Sequence, residues 1–191
     1  PAPLVLGAAL SALRSELLAD PYFRGVPSMQ PEARKTAVAF HAKDDLAEVR
    51  REVLQLVSRQ NLRFLALVKD KRAVVEYVRS RNLNDPNYRY HPNELYDFLV
   101  RRLFRQQLHK ATEYEVVFSR RGARSRTAAL RAALEAARDR FCRQHGISAR
   151  PVVAVRAELS NRCAALQAVD YFLWSLQRTY ERGEDRYLNL L

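Results

Sequence analysis

Apolar residues recur at three- and four-residue intervals along two stretches of the chain, and each stretch predicts an amphipathic helix. In the later one, Leu166, Val169, Leu173, Leu176 and Tyr180 share one helix face. In the earlier one, Leu46, Val49, Val53 and Val57 do the same, with Asp44 or Asp45 as the expected N-cap and an end near Ser58. Helical patterns also cover residues 12–19, 72–81, 93–111 and 127–145, the last closed by Gly146 in the left-handed position after a helix. Other segments read as strands: the short apolar run 3–10, the alternating run 36–41, the run 62–68 (LRFLALV), and residues 114–119 and 151–156. Gly25, Pro27 and Pro31 mark 22–34 as a loop, and Tyr, Asn and Pro residues do the same for 82–92. Residues 120–125 form a basic turn, and Ser160 or Asn161 caps the final helix. Strands alternating with helices, without an internal repeat, predict one mixed α/β domain over residues 1–191.

Size and composition agree with that expectation. A chain of 191 residues, 48% hydrophobic, can bury a sizeable core. No apolar run approaches the roughly 20 residues that span a bilayer, and there is no charged lead-in followed by an apolar run as in a signal peptide. A cytoplasmic protein is therefore expected. Its net charge of +12, supplied largely by arginine, favours polyanions, nucleic acid first among them. Arginine is spread along the chain, a pattern that solvated helix faces produce equally well. Cys142 and Cys163 have no metal-ligand or redox spacing, and His41, His91, His109 and His145 are unpaired in sequence, which argues against zinc.

The sequence has no glycine-rich phosphate loop and no nucleophile elbow, so carboxylates are the leading chemical candidates. Helical geometry places Asp170 beside the apolar stripe of the last helix, between Leu166 and Leu173, where a desolvated carboxylate needs a cation, a metal or strong donors. Arg50 lies on the apolar stripe of residues 46–57, so an internal Arg50–Asp170 ion pair is the structural alternative to a functional acid. Asp70 follows the 62–68 strand, a common ligand position at a sheet edge, though Lys69 and Lys71 flank it. His41 closes another expected strand. Tyr88, Tyr90 and Tyr96 near Arg89 could stack on bases or simply pack a loop.

The closing segment, Leu166-Gln-Ala-Val-Asp170-Tyr-Phe-Leu-Trp-Ser-Leu-Gln-Arg-Thr-Tyr180, resembles the final motif of a bacterial and phage family, domain of unknown function 3800. Phe40-His41-Ala42, Val49-Arg50, Lys69-Asp70-Lys71 and Arg120-Arg121-Gly122 extend the resemblance across most of the chain. The resemblance implies a ribonuclease H-like fold, a mixed sheet flanked by helices, in which carboxylates bind Mg²⁺ or Mn²⁺ and process phosphodiesters. On that basis Asp70 and Asp170 would hold the metal, His41 would contact or protonate substrate, and Arg50, Lys71 and Arg121 would hold phosphate. The family opens with an Asp-Glu-Ser-Gly-like strand that supplies its principal metal-binding Asp. This sequence lacks that motif, and Pro1 stands where the family's second strand is expected. The implied activity is a metal-dependent nuclease. Two alternatives keep the fold without a complete metal site: a non-catalytic nucleic-acid-binding or interaction module, and a homodimer formed through the aromatic last helix.

Overall fold

The computed structural model describes residues 2–105, 107–108, 111–120, 126–148 and 150–191. It mixes helices with a two-stranded parallel sheet, and its backbone contacts gather into two compact units. The first unit holds residues 1–64, 118–120 and 158–191; the second holds 65–117 and 121–157.

The first unit is helical. Helix α1 (Ala2–Ala19) includes the run expected as a strand. Its apolar residues suit either state, and length decides: Leu6, Leu10 and Leu17 continue one buried face through 18 residues. Helix α2 (Ala47–Ser58) buries Val49, Val53, Leu54 and Val57. The residue entering it is Leu46, with no side-chain cap, and Asp45 has another task. Helix α6 (Ala164–Arg182) follows a short 3₁₀ turn, Ser160–Arg162, with Cys163 rather than Ser160 or Asn161 at its start. Between α1 and α2 the chain makes three 3₁₀ turns, each begun by proline. The core joins Leu6, Leu10, Phe23, Met29, Phe40, Val53, Leu54, Ala168 and Tyr171.

Helix α6 turns a different face inward from the one its sequence predicts. Gln167, Ala168, Tyr171 and Ser175 are buried, whereas Val169, Leu173 and Tyr180 of the apolar stripe are 41%, 47% and 67% exposed. Small side chains account for this. An added Cβ at Gly7 of α1 would lie 3.7 Å from the Ala164 Cβ, so the two helices approach where neither carries a large side chain. Close backbone approach and polar partners for Gln167 and Tyr171 outweigh the larger residues on the other face.

The second unit contains α3 (Lys71–Asn84), α4 (Pro92–Phe104), β1 (Glu113–Ser119), α5 (Thr127–His145) and β2 (Val152–Glu158). Helix α4 ends seven residues before the end that its pattern predicts, at Phe104 rather than residue 111. The strands pair in parallel, with Val152 N–H donating to the Thr112 carbonyl at 2.9 Å and Arg120 N–H to that of Glu158 at 2.8 Å. Parallel neighbours require a crossover, which α5 supplies. The strand tips, 118–120 and 158, count with the first unit. Helices α4 and α5 pack around Val100, Leu130, Leu134 and Phe141, and Gly146 ends α5 at φ 62°, as expected.

Besides the run 3–10, two further expected strands are absent. Residues 36–41 form turns, and residues 62–68 have no regular structure, with Leu62, Leu65, Leu67 and Val68 38–52% exposed. Alternation describes a segment able to join a sheet; it cannot provide the neighbouring strand.

Candidate functional site

Three polar side chains of α6, at 167, 170 and 171, converge with α2 on the tight loop 40–45. Phe40, His41 and Ala42 present three consecutive backbone N–H groups, and each donates to a side-chain oxygen. Phe40 donates to Gln167 Oε1 at 3.2 Å, His41 to Asp45 Oδ2 at 2.8 Å, and Ala42 to Asp170 Oδ2 at 2.9 Å. Arg50 grips the other side of the loop, donating through Nε to the Ala42 carbonyl at 2.5 Å and through a terminal nitrogen to the Lys43 carbonyl at 3.3 Å. These bonds explain why 36–41 is no strand: its last amides are already taken by side chains, Phe40 by distant Gln167 and His41 by Asp45 four residues on.

Asp45 is the buried acid of this region. It is 2% exposed, accepts from Thr36 Oγ1 at 2.5 Å, and accepts from the Tyr171 hydroxyl as well as the His41 amide. Burial pushes its carboxyl above the usual range, although all three donors favour the ionised form. The same burial, with the Asp45 charge beside it, holds the Tyr171 phenol well above its usual range and keeps it a neutral donor. Sequence patterning missed this acid by assigning it to a helix cap. The spacing of Thr36 from Asp45 carries no local signal, and Tyr171 is 126 residues away.

Asp170 is only partly buried, with its side chain 36% exposed. Its Oδ1 lies 4.0 Å from His41 Nε2, while His41 Nδ1 lies 3.6 Å from Asp44 Oδ2. The imidazole therefore stands between two carboxylates at the surface, outside direct hydrogen-bond distance of either. The Arg50–Asp170 pair is not formed among the described residues. Arg50 instead stacks on Trp174, with its guanidinium carbon 4.5 Å from the ring centroid, and Arg178 lies 5.1 Å from the same ring. Asp170 and Arg50 still serve one purpose, since they hold the two sides of Ala42.

Asp70 belongs to the second unit and Asp170 to the first. Rather than closing a strand, Asp70 caps α3, with Oδ1 accepting from Arg72 N–H at 2.8 Å. That bond and the neighbouring cations draw its carboxyl below the usual range. Lys71 is exposed in the first turn of α3. Arg121 lies outside the described residues. Among the described residues, no group of three or more His, Cys, Asp or Glu side chains gathers in a way that could hold a metal. Asp70 and Asp170 each accept a backbone N–H.

No helix of the described residues is long and apolar enough to cross a membrane. Comparison with protein-family models, curated proteins and solved structures gives no match.

Proposed function

We propose that this protein is a nucleic-acid-binding module, ribonuclease H-like in descent and related to domain of unknown function 3800, that holds phosphate through exposed cations. The observation that carries this reading is α3. Lys71, Arg72, Arg79 and Arg81 are exposed along it against a single acid, Glu76, and the helix buries no residue of its own. Arg72 pairs with Asp70 and Arg81 lies over Tyr88, which leaves Lys71 and Arg79 turned to solvent, and a chain of net charge +12 favours an anionic partner. The carboxylates are consistent with this role, because Asp70 and Asp170 act as backbone acceptors that shape a helix start and a loop.

The test is the salt dependence of single-stranded oligonucleotide binding. Each neutralised phosphate contributes roughly −0.7 to the slope of log affinity against log salt. Reversing Lys71 and Arg79 to Glu should flatten the slope by about 1.4 and weaken binding to every sequence alike. Binding that is insensitive to salt and to these charges would rule the reading out.

A second reading, the metal-dependent nuclease, draws on the exposed His41 between Asp44 and Asp170. It takes Asp170 as the acid that would hold Mg²⁺ or Mn²⁺, with His41 beside it to contact substrate. Calorimetry with either metal checks it: heat that disappears in Asp170→Asn supports a metal site, and no heat removes that site. A homodimer through the outward face of α6 is supported by exposed Val169, Leu173 and Tyr180, and sedimentation across a concentration series tests it.

A further inference from the structure

A cavity of about 420 Å³ opens in the second unit between α3, the loop that follows it and the first turns of α4. That is within the roughly 300–1,000 Å³ of sites that enclose small organic groups. Four aromatic side chains line it: Tyr77 from α3, Tyr88 and Tyr90 from the loop, and Phe98 from α4. Tyr77, Tyr90 and Phe98 are 57%, 36% and 48% exposed, so their rings present aromatic surface to the cavity that the core does not use.

The charges around this cavity are unequal in a way that selects a ligand. Two acids line it, and both already have donors. Glu94 Oε2 accepts from the Tyr88 hydroxyl at 2.9 Å, and Asp97 accepts from Arg126 at 2.7 Å. Two cations line it as well, Lys69 and Arg101, and neither side chain makes a hydrogen bond or ion pair among the described residues. The lining thus offers flat apolar faces and two unspent positive charges. Tyr88 is itself held in place, with the Arg81 guanidinium 4.9 Å from its ring centroid. Arg89 is spent within the loop on the carbonyls of Pro86 and Tyr88, and Tyr96 packs beneath Arg126 instead of lining the cavity.

We propose that this cavity receives one unpaired base of a single-stranded nucleic acid, stacked on the Tyr77, Tyr90 and Phe98 rings, with its phosphate between Lys69 and Arg101. Aromatic platforms accept any base through its π face, and adjacent cations follow the backbone. A duplex would have to unstack a base to fill it, at a cost of a few kcal/mol, whereas a single strand presents its bases freely. The proposal rests on the nucleic-acid-binding reading of α3, and it adds a requirement that phosphate attraction does not have, namely the base itself.

The experiment compares two fluorescently labelled oligonucleotides of equal length and charge, one carrying bases and one abasic, by anisotropy with the full chain. Stacking is worth about 1–3 kcal/mol per base, so wild type should bind the base-bearing strand roughly 5- to 150-fold more tightly. Tyr90→Ala and Phe98→Ala should each erode that preference while leaving abasic binding and the salt slope unchanged. Equal, salt-dependent affinity for both strands would overturn the cavity proposal and leave the phosphate-binding surface standing. Binding of neither strand would overturn both. The wild-type comparison needs no substitution, so a misfolded variant cannot obscure the result.

Discussion

Replacing Tyr171 by Phe isolates one hydrogen bond at the centre of the loop 40–45 anchorage. Tyr171 is fully buried, and its hydroxyl donates to Asp45 Oδ2. Phe keeps the ring that packs against the core, so the change removes only the donor. Asp45 would then keep two donors, Thr36 and the His41 amide, in a place where water does not reach it. Hydrogen bonds to charged groups contribute about 1.5–3 kcal/mol, so a loss near 2 kcal/mol is expected at pH values where Asp45 is ionised. For a chain of this size that corresponds to a fall in Tm of roughly 4–8 °C. The Tyr171 bond also favours ionised Asp45, so without it the carboxyl protonates more readily, and the deficit should shrink on acidification. Urea unfolding of wild type, Tyr171→Phe, Asp45→Asn and the double variant closes a cycle, with a coupling energy of about 1 kcal/mol or more expected. A Tyr171→Phe protein as stable as wild type, or losses that simply add in the double variant, would refute the assignment of this bond.

Asp45 also sets a pH dependence. Its folded-state pKa is raised above the unfolded value of 3.8, so its stabilising contribution is full below 3.8 and is lost as pH climbs through the folded value. The stability of wild type relative to Asp45→Asn, followed by urea unfolding, should therefore decline as pH rises from 3.8; a flat or rising difference contradicts this. Asp170→Asn retains an acceptor for the Ala42 amide and should cost little, whereas Asp170→Ala strands that buried N–H at about 1–3 kcal/mol, and equal losses would show that the bond is unimportant. Arg50→Lys keeps the charge but not the planar fork that bonds to Ala42 and lies on Trp174, so thermal melts should place it close to Arg50→Ala and well below wild type. Gly146→Ala forces a Cβ into the left-handed region at φ 62° and should cost about 1 kcal/mol in chemical unfolding; no loss would mean that the α5 terminus relaxes.

Helix existence was legible for α2, α3 and α5, though not for the first half of α1, and so were the β1 and β2 strands and the Gly146 stop. Those features depend on neighbours within a few residues, which a sequence displays directly. Of the three polar residues that the last helix sends to the loop 40–45, the sequence singled out Asp170 alone; Gln167 and Tyr171 join it there through contacts that periodicity does not show. Their partners were decided by tertiary structure. Arg50 and Asp170 seemed matched charges by pattern alone, yet the fold seats Arg50 on Trp174 and gives Asp170 to the Ala42 amide. The orientation of α6 was likewise settled by close approach at Gly7 and Ala164, a matter of shape between helices far apart in sequence. Residues 62–68 make the same point in reverse: alternation can prepare a strand, but a sheet requires a second chain segment in register beside it, and periodicity cannot show whether one is there.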